Sequence, residues 1–94
     1  MKNIPIERFC TFHNIPQSFI DTLRNFGLIE VVEQEDEYFI TTDELDKIER
    51  LIRLHYDLDV NMEGLDIINN LLDRIDELQE EILELRRRLN FYEE

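Results

Sequence analysis

From residue 68 to residue 92 the apolar side chains return every seven positions, with Ile68, Ile75, Ile82 and Leu89 at heptad position a and Leu71, Leu78, Leu85 and Tyr92 at position d. A repeat held for roughly three and a half heptads specifies a coiled-coil seam on one long helix. The stripe is narrow and flanked by Asp, Glu and Arg. An arm folded back on its own core is one way to cover it, but the wider stripe of the preceding helix already matches the N-terminal helices in size. A second copy of the chain is therefore the expected cover, with Leu71, Ile75, Leu78, Ile82, Leu85 and Leu89 as the dimerisation residues. Ile at a with Leu at d, and Glu81 at g able to meet Arg86 at e of the partner, suit a parallel pair.

At 94 residues, with two Gly and two Pro, the chain has room for one compact domain and an appendage, and each helix breaker is informative. Pro5 suits the first turn of a helix with apolar positions Ile6, Phe9 and Cys10, closing near Asn14. Pro16 opens a second helix whose apolar face is Phe19, Ile20, Leu23 and Phe26, with Gly27 where a C-cap is wanted. Two short helices joined by a tight turn form a helix-turn-helix. Leu28 to Val32 and Tyr38 to Ile40, rich in β-branched and aromatic residues and separated by acidic residues, predict a two-stranded hairpin. Thr41 and Glu44 fit a capping box, with Ile40 stapled on Leu45. The third helix carries Leu45, Ile48, Ile52 and Tyr56 until the period slips at Asp57-Leu58-Asp59, and Asn61 caps a fourth. The fold class is mostly α: a winged helix-turn-helix over residues 1–60, with a two-stranded hairpin as wing, and a helical arm over residues 61–94 whose coiled-coil segment is 68–92.

The 23 acidic against 10 basic residues set the net charge at −13, and residues 30–46 alone hold eight acids and no base. Such a chain repels phosphate backbones and anionic headgroups and favours basic partners. The lone Cys10 excludes an internal disulfide, and no basic start with an apolar run marks a secretion signal, so a cytoplasmic protein is expected. Nothing reaches the ~18 apolar residues of a membrane span.

The order helix-turn-helix, acidic hairpin, helix, long coiled-coil helix resembles the MerR-type winged-helix architecture. Leu23-Arg24-Asn25-Phe26-Gly27-Leu28-Ile29 resembles the segment that ends the second helix in that superfamily, and Tyr38-Phe39-Ile40-Thr41 sits where its wing returns. Within the superfamily, the run from Leu54 through His55-Tyr56-Asp57-Leu58-Asp59-Val60-Asn61-Met62-Glu63-Gly64-Leu65-Asp66-Ile67 to Ile68, followed by Leu71-Leu72-Asp73-Arg74-Ile75, resembles the chaperone-modulator family, regulators of a DnaJ-like co-chaperone. The resemblance spans nearly the whole chain. It implies a non-enzymatic protein that binds the J-domain of a DnaJ-like, curved-DNA-binding co-chaperone and inhibits its stimulation of a DnaK-type chaperone. It also implies an antiparallel coiled coil, against the parallel reading of the heptads, and the orientation stays open.

A DNA-binding winged helix needs Arg or Lys on its recognition helix and wing. Here the second helix offers Arg24 alone, and the wing offers Glu30, Glu33, Glu35, Asp36 and Glu37. DNA binding by this chain alone is not expected, and a MerR-type transcription regulator acting on DNA as a dimer is the alternative. The candidate J-domain-binding residues form two groups: Glu33, Glu35, Asp36 and Glu37 on the wing, and Asp57, Asp59, Glu63 and Asp66 around the start of the fourth helix. Each has a plainer reading, the first as a solvated face and the second as carboxylates stabilising a helix N-terminus by ~0.3–1 kcal/mol. Cys10 with His13 lacks the three or four ligands that zinc needs. His55 with Asp57 and Asp59 lacks a nucleophile, a phosphate loop and a cleft. No catalytic, cofactor-binding or metal-binding residues are assigned.

Overall fold

The computed structural model describes residues 2–93, so positions 1 and 94 of the two expected segments lie outside the described residues. Chain order is β1 (Asn3–Pro5), α1 (Ile6–His13), α2 (Gln17–Asn25), β2 (Val32–Gln34), β3 (Glu37–Thr41), a 3-10 turn (Thr42–Glu44), α3 (Leu45–Tyr56) and α4 (Met62–Glu93). This is the expected mostly helical, winged helix-turn-helix plan with a long C-terminal helix.

Both N-terminal helices stop where the sequence says they should. At the end of α1 the amides of Ile15 and Asn14 donate to the carbonyls of Cys10 (3.0 Å) and Thr11 (3.3 Å), with Asn14 left-handed at φ 56°. The end of α2 repeats the pattern: Leu28 donates to Leu23 (2.9 Å) and Gly27 to Arg24 (3.0 Å), with Gly27 at φ 74°. These are Schellman closures, which consume the last carbonyls and fold the following residue back onto the helix. Leu28 is that residue, and it is buried. Phe26, expected on the apolar face of α2, is exposed instead, because the helix has already begun to close there and Leu28 takes the core position.

The first strand of the wing is shorter than expected. Leu28 and Ile29 are both buried, whereas successive strand residues point to opposite faces of a sheet. They are a buried connection, and Lys47 Nζ donates to the Leu28 carbonyl at 3.2 Å, so pairing starts only at Val32. The expected two-stranded hairpin is β2–β3, and β1 joins it to make a sheet of three strands among the described residues, in the order β1-β3-β2 and antiparallel throughout. Ile4 faces Ile40 and Pro5 faces Phe39; Pro5 is tolerated because β1 is an edge. Three residues ending in proline are too short to show alternation, which is why β1 left no signal.

Thr41 makes no side-chain cap, so the expected capping box is absent. A 3-10 turn intervenes, and the Glu44 carboxylate lies 3.6 Å from Lys47 Nζ. On α3 the core positions are Ile48 and Leu51, with Leu45 and Ile52 partly buried against them. Tyr56, expected on that stripe, is exposed. The half-buried His55 stacks on the buried Phe19 at 5.0 Å between centroids, and Tyr56 tilts against the same ring at 5.2 Å.

The N-terminal end of α4 also belongs to the core. Leu65 is fully buried, Asn69 is buried, and Met62 packs against the cluster formed by α1, α2, β3 and α3. At 100° per residue this docking face lies roughly 140° around the helix from the heptad seam, so seating the arm leaves the seam free.

Candidate functional site

On the wing, β2 and β3 are joined by the two residues Glu35 and Asp36, at φ 50° and 65°, with Gln34 opposite Glu37. Two positive φ values are what a type I′ turn requires, and its twist suits a tight hairpin. Glutamate rarely adopts that conformation, so this turn holds two carboxylates where Asn-Gly would be less strained. Glu33, Glu35, Asp36 and Glu37 are all exposed. Glu33 pairs across the ladder with Tyr38. The Arg24 guanidinium sits 4.6 Å from the centre of the Tyr38 ring, a cation–π contact worth ~0.5–1 kcal/mol at an exposed site. The one arginine of the second helix thus rests on the wing's own aromatic.

The second acidic group surrounds the turn from α3 into α4, and this turn is tightly stitched. Asp57 N donates to the Arg53 carbonyl (2.9 Å) and Val60 N to the Leu54 carbonyl (3.0 Å). The Val60 carbonyl in turn meets His55 Nδ1 at 2.8 Å. Asp59 is left-handed at φ 56°. Asn61 then caps α4 as expected: its Oδ1 accepts from Gly64 N at 2.8 Å and its carbonyl accepts from Leu65 N at 2.9 Å. Asp57, Asp59 and Glu63 are exposed and Asp66 is half-buried, with Glu63 in the first turn of α4, where its charge complements the helix dipole. Between the two aspartates stands Leu58, 67% exposed. The slip in periodicity marked this turn in the sequence, but gave no sign that its leucine faces solvent.

Gly64 is part of this construction. A Cβ there would stand 2.7 Å from Val60 Cγ1 and 3.2 Å from Asn61 Oδ1. Gly64→Ala normally favours a helix by up to ~1 kcal/mol, but here it pushes on a partly buried valine and on the capping oxygen. A net loss of ~1–2 kcal/mol is expected from overpacking and a weakened cap. Thermal melting checks the sign: a raised midpoint would show that propensity outweighs the clash.

Along α4 the seam is bare in the single chain. Leu71, Ile75, Leu78, Ile82, Leu85 and Leu89 range from 40% exposed at Leu78 to 61% at Leu85, while Ile68, at the edge of the docking face, is half-buried. Arg87 and Arg88 each approach Glu84, at 3.6 and 3.2 Å, and Arg74 approaches Glu77 at 3.2 Å. These exposed contacts contribute a few tenths of a kcal/mol each.

Cys10 is buried, and burial, with the Asp21 carboxylate adding to it, pushes its thiol above the ordinary value. His13, three residues on, is half-buried, with its ring centred 4.3 Å from that of Phe9 and Nε2 3.7 Å from Glu49. Among the described residues no group of three or more His, Cys, Asp or Glu is placed to hold a metal ion, and no helix is long and apolar enough to cross a membrane.

The family model described as MerR HTH family regulatory protein matches residues 4–87. That span runs from β1 through both helices of the helix-turn-helix, the wing and α3 into the arm as far as Arg87. No curated protein and no solved structure matches the chain. With the match covering most of its length and the winged helix-turn-helix present in the fold, the chain belongs to the MerR HTH family of regulatory proteins.

Proposed function

We propose that this regulator is a chaperone modulator, which binds the basic helix of the J-domain of a DnaJ-like co-chaperone and thereby keeps it from a DnaK-type chaperone. One observation carries the reading. The surface that a DNA-binding winged helix turns towards phosphates is acidic here: the wing tip is Glu35-Asp36, flanked by Glu33 and Glu37, and Arg24 is stacked on Tyr38. The resemblance of the Leu54–Ile75 region to chaperone modulators supplies the partner. Glu33, Glu35, Asp36 and Glu37, together with Asp57, Asp59, Glu63 and Asp66, are the residues proposed to meet it. The exposed seam from Leu71 to Leu89 is proposed to pair with a second copy.

Exposed carboxylates at the edge of an interface act mainly on encounter. Neutralising the wing tip as Glu35→Gln, Asp36→Asn and Glu37→Gln is expected to slow association with a purified J-domain by up to ~10-fold at low salt and to flatten its salt dependence, with dissociation nearly unchanged. Stopped-flow association across a salt series measures this. Absence of J-domain binding by the parent protein, in calorimetry with the co-chaperone of its own cell, removes the proposal.

The family match itself favours a second reading, a transcription regulator that contacts DNA as a dimer. Gel-shift titration separates the two, because a DNA binder making several phosphate contacts loses affinity steeply as salt rises. Specific sub-micromolar DNA binding by the isolated protein at physiological salt would establish the second reading.

A further inference from the structure

We propose that Leu58 is the apolar anchor of a docking surface for a basic amphipathic helix, and that the α3–α4 turn, not the wing, forms the centre of the partner interface. The inference rests on the chaperone-modulator reading for the identity of the helix.

Leu58 is 67% exposed, yet the turn that presents it is not loose. Hydrogen bonds from Asp57 to Arg53 and from Val60 to Leu54, and between His55 and the Val60 carbonyl, hold the backbone on both sides of it. The neighbouring aromatic, Tyr56, is 46% exposed and is fixed from behind by Phe19 at 5.2 Å and His55 at 4.8 Å. An apolar side chain on a fixed backbone, beside an aromatic held by its neighbours, gives up less freedom on binding than one on a loose loop, and such pre-organised groups make effective interface centres.

Charge selects the occupant. Asp57, Asp59 and Glu63 surround Leu58 in the chain and are exposed, and Arg53 in the last turn of α3 is the cation near them in sequence. An apolar knob among carboxylates matches an apolar residue flanked by Lys or Arg on one face of a helix. It does not match an acidic or nucleic-acid partner. The wing carries as many carboxylates, but Phe39 is half-buried and Tyr38 holds Arg24 at 4.6 Å, so it offers charge without an apolar side chain as exposed as Leu58. The turn then supplies the water-excluding centre, and the wing supplies the rim that steers encounter.

Four proteins test this by calorimetry and binding kinetics against the J-domain of the cell's own DnaJ-like co-chaperone: the parent, Leu58→Ser, the double variant Asp57→Asn with Asp59→Asn, and the neutralised wing. Asparagine accepts the left-handed conformation at position 59, and unchanged thermal melting confirms that each variant is folded. Leu58→Ser is expected to weaken binding ~10-fold or more through faster dissociation, and the Asp57, Asp59 double by a comparable factor, while the wing variant changes mainly the association rate. Parent-like binding by Leu58→Ser together with loss in the wing variant overturns the inference and leaves the co-chaperone reading standing. If the parent binds no J-domain, that reading falls, and a synthetic Lys/Leu amphipathic helix becomes the probe of the surface. Binding of that peptide by the parent and its loss in Leu58→Ser upholds the docking surface. No binding by the parent, or equal binding by both, overturns it. Should the parent instead self-associate through this turn, Leu58→Ser will shift the sedimentation profile, which also overturns it.

Discussion

Replacing Leu65 by alanine is expected to destabilise the fold by about 2–5 kcal/mol, as deletion of a fully buried leucine side chain generally does. Leu65 is 0% exposed and, among the described residues, is the one of α4 in the buried apolar core cluster. Its loss removes apolar contact with the domain and loosens the seat of the arm together. A domain of this size has a total stability of ~5–10 kcal/mol, so the melting midpoint should fall by roughly 10 °C or more. Ile67→Ala, two residues on at a position 60% exposed, is the control and should cost well under 1 kcal/mol. Denaturant titration of both variants measures the difference. Equal losses at 65 and 67 would mean that α4 is not seated as described.

Replacing Ile82 by aspartate should abolish self-association while leaving the winged domain folded. Ile82 lies at the middle of the exposed seam and is 48% exposed in the single chain. Burying a charge in the seam costs several kcal/mol per side chain, and a symmetric pair takes two such charges. An equilibrium constant in the low-micromolar range should therefore weaken by at least ~1,000-fold, at 1.4 kcal/mol per factor of ten. Sedimentation at ~50 μM, a concentration that such a constant saturates, should show a dimer for the parent and a monomer for the variant. A parent that sediments as a monomer ends the dimer proposal. Far-UV circular dichroism should show the helices of the N-terminal domain intact in Ile82→Asp, because none of their core contacts involves residue 82.

Charge along α4 bears on the orientation of that pair. Acids dominate from Asp73 to Glu84, and three arginines follow at 86–88. A parallel pair brings Glu81 at g to Arg86 at e of the partner, a contact that an antiparallel pair does not make. Reversing Arg86 to glutamate sets like charges against Glu81 of the partner in a parallel pair and should weaken that dimer in sedimentation, while acting far less on an antiparallel one.

Local chemistry made much of this legible. Pro5, Asn14, Pro16 and Gly27 bound the first two helices, because φ restriction and the left-handed cap act on neighbouring residues alone. Asn61 capped α4 for the same reason, and the heptads marked the arm. The acidic wing was also legible as composition, since a turn needs nothing beyond a few residues and their φ preferences.

Only the tertiary structure decided the rest. Burial of two consecutive residues, Leu28 and Ile29, contradicts their strand-like composition because the core, not the propensity, claims them. β1 exists because β3 has a free edge to offer, a fact absent from Asn3-Ile4-Pro5. His55 and Tyr56 both pack on Phe19, a contact between α2 and α3 that no period along α3 reveals. Likewise, Leu58, Val60, Met62, Leu65, Ile67 and Ile68 follow one another at uneven spacing, and no period tells which face solvent. Packing against α1, α2 and α3 draws in Val60, Met62 and Leu65 and leaves Leu58 outside, since burial is settled by what the other elements present and not by the side chain's own character.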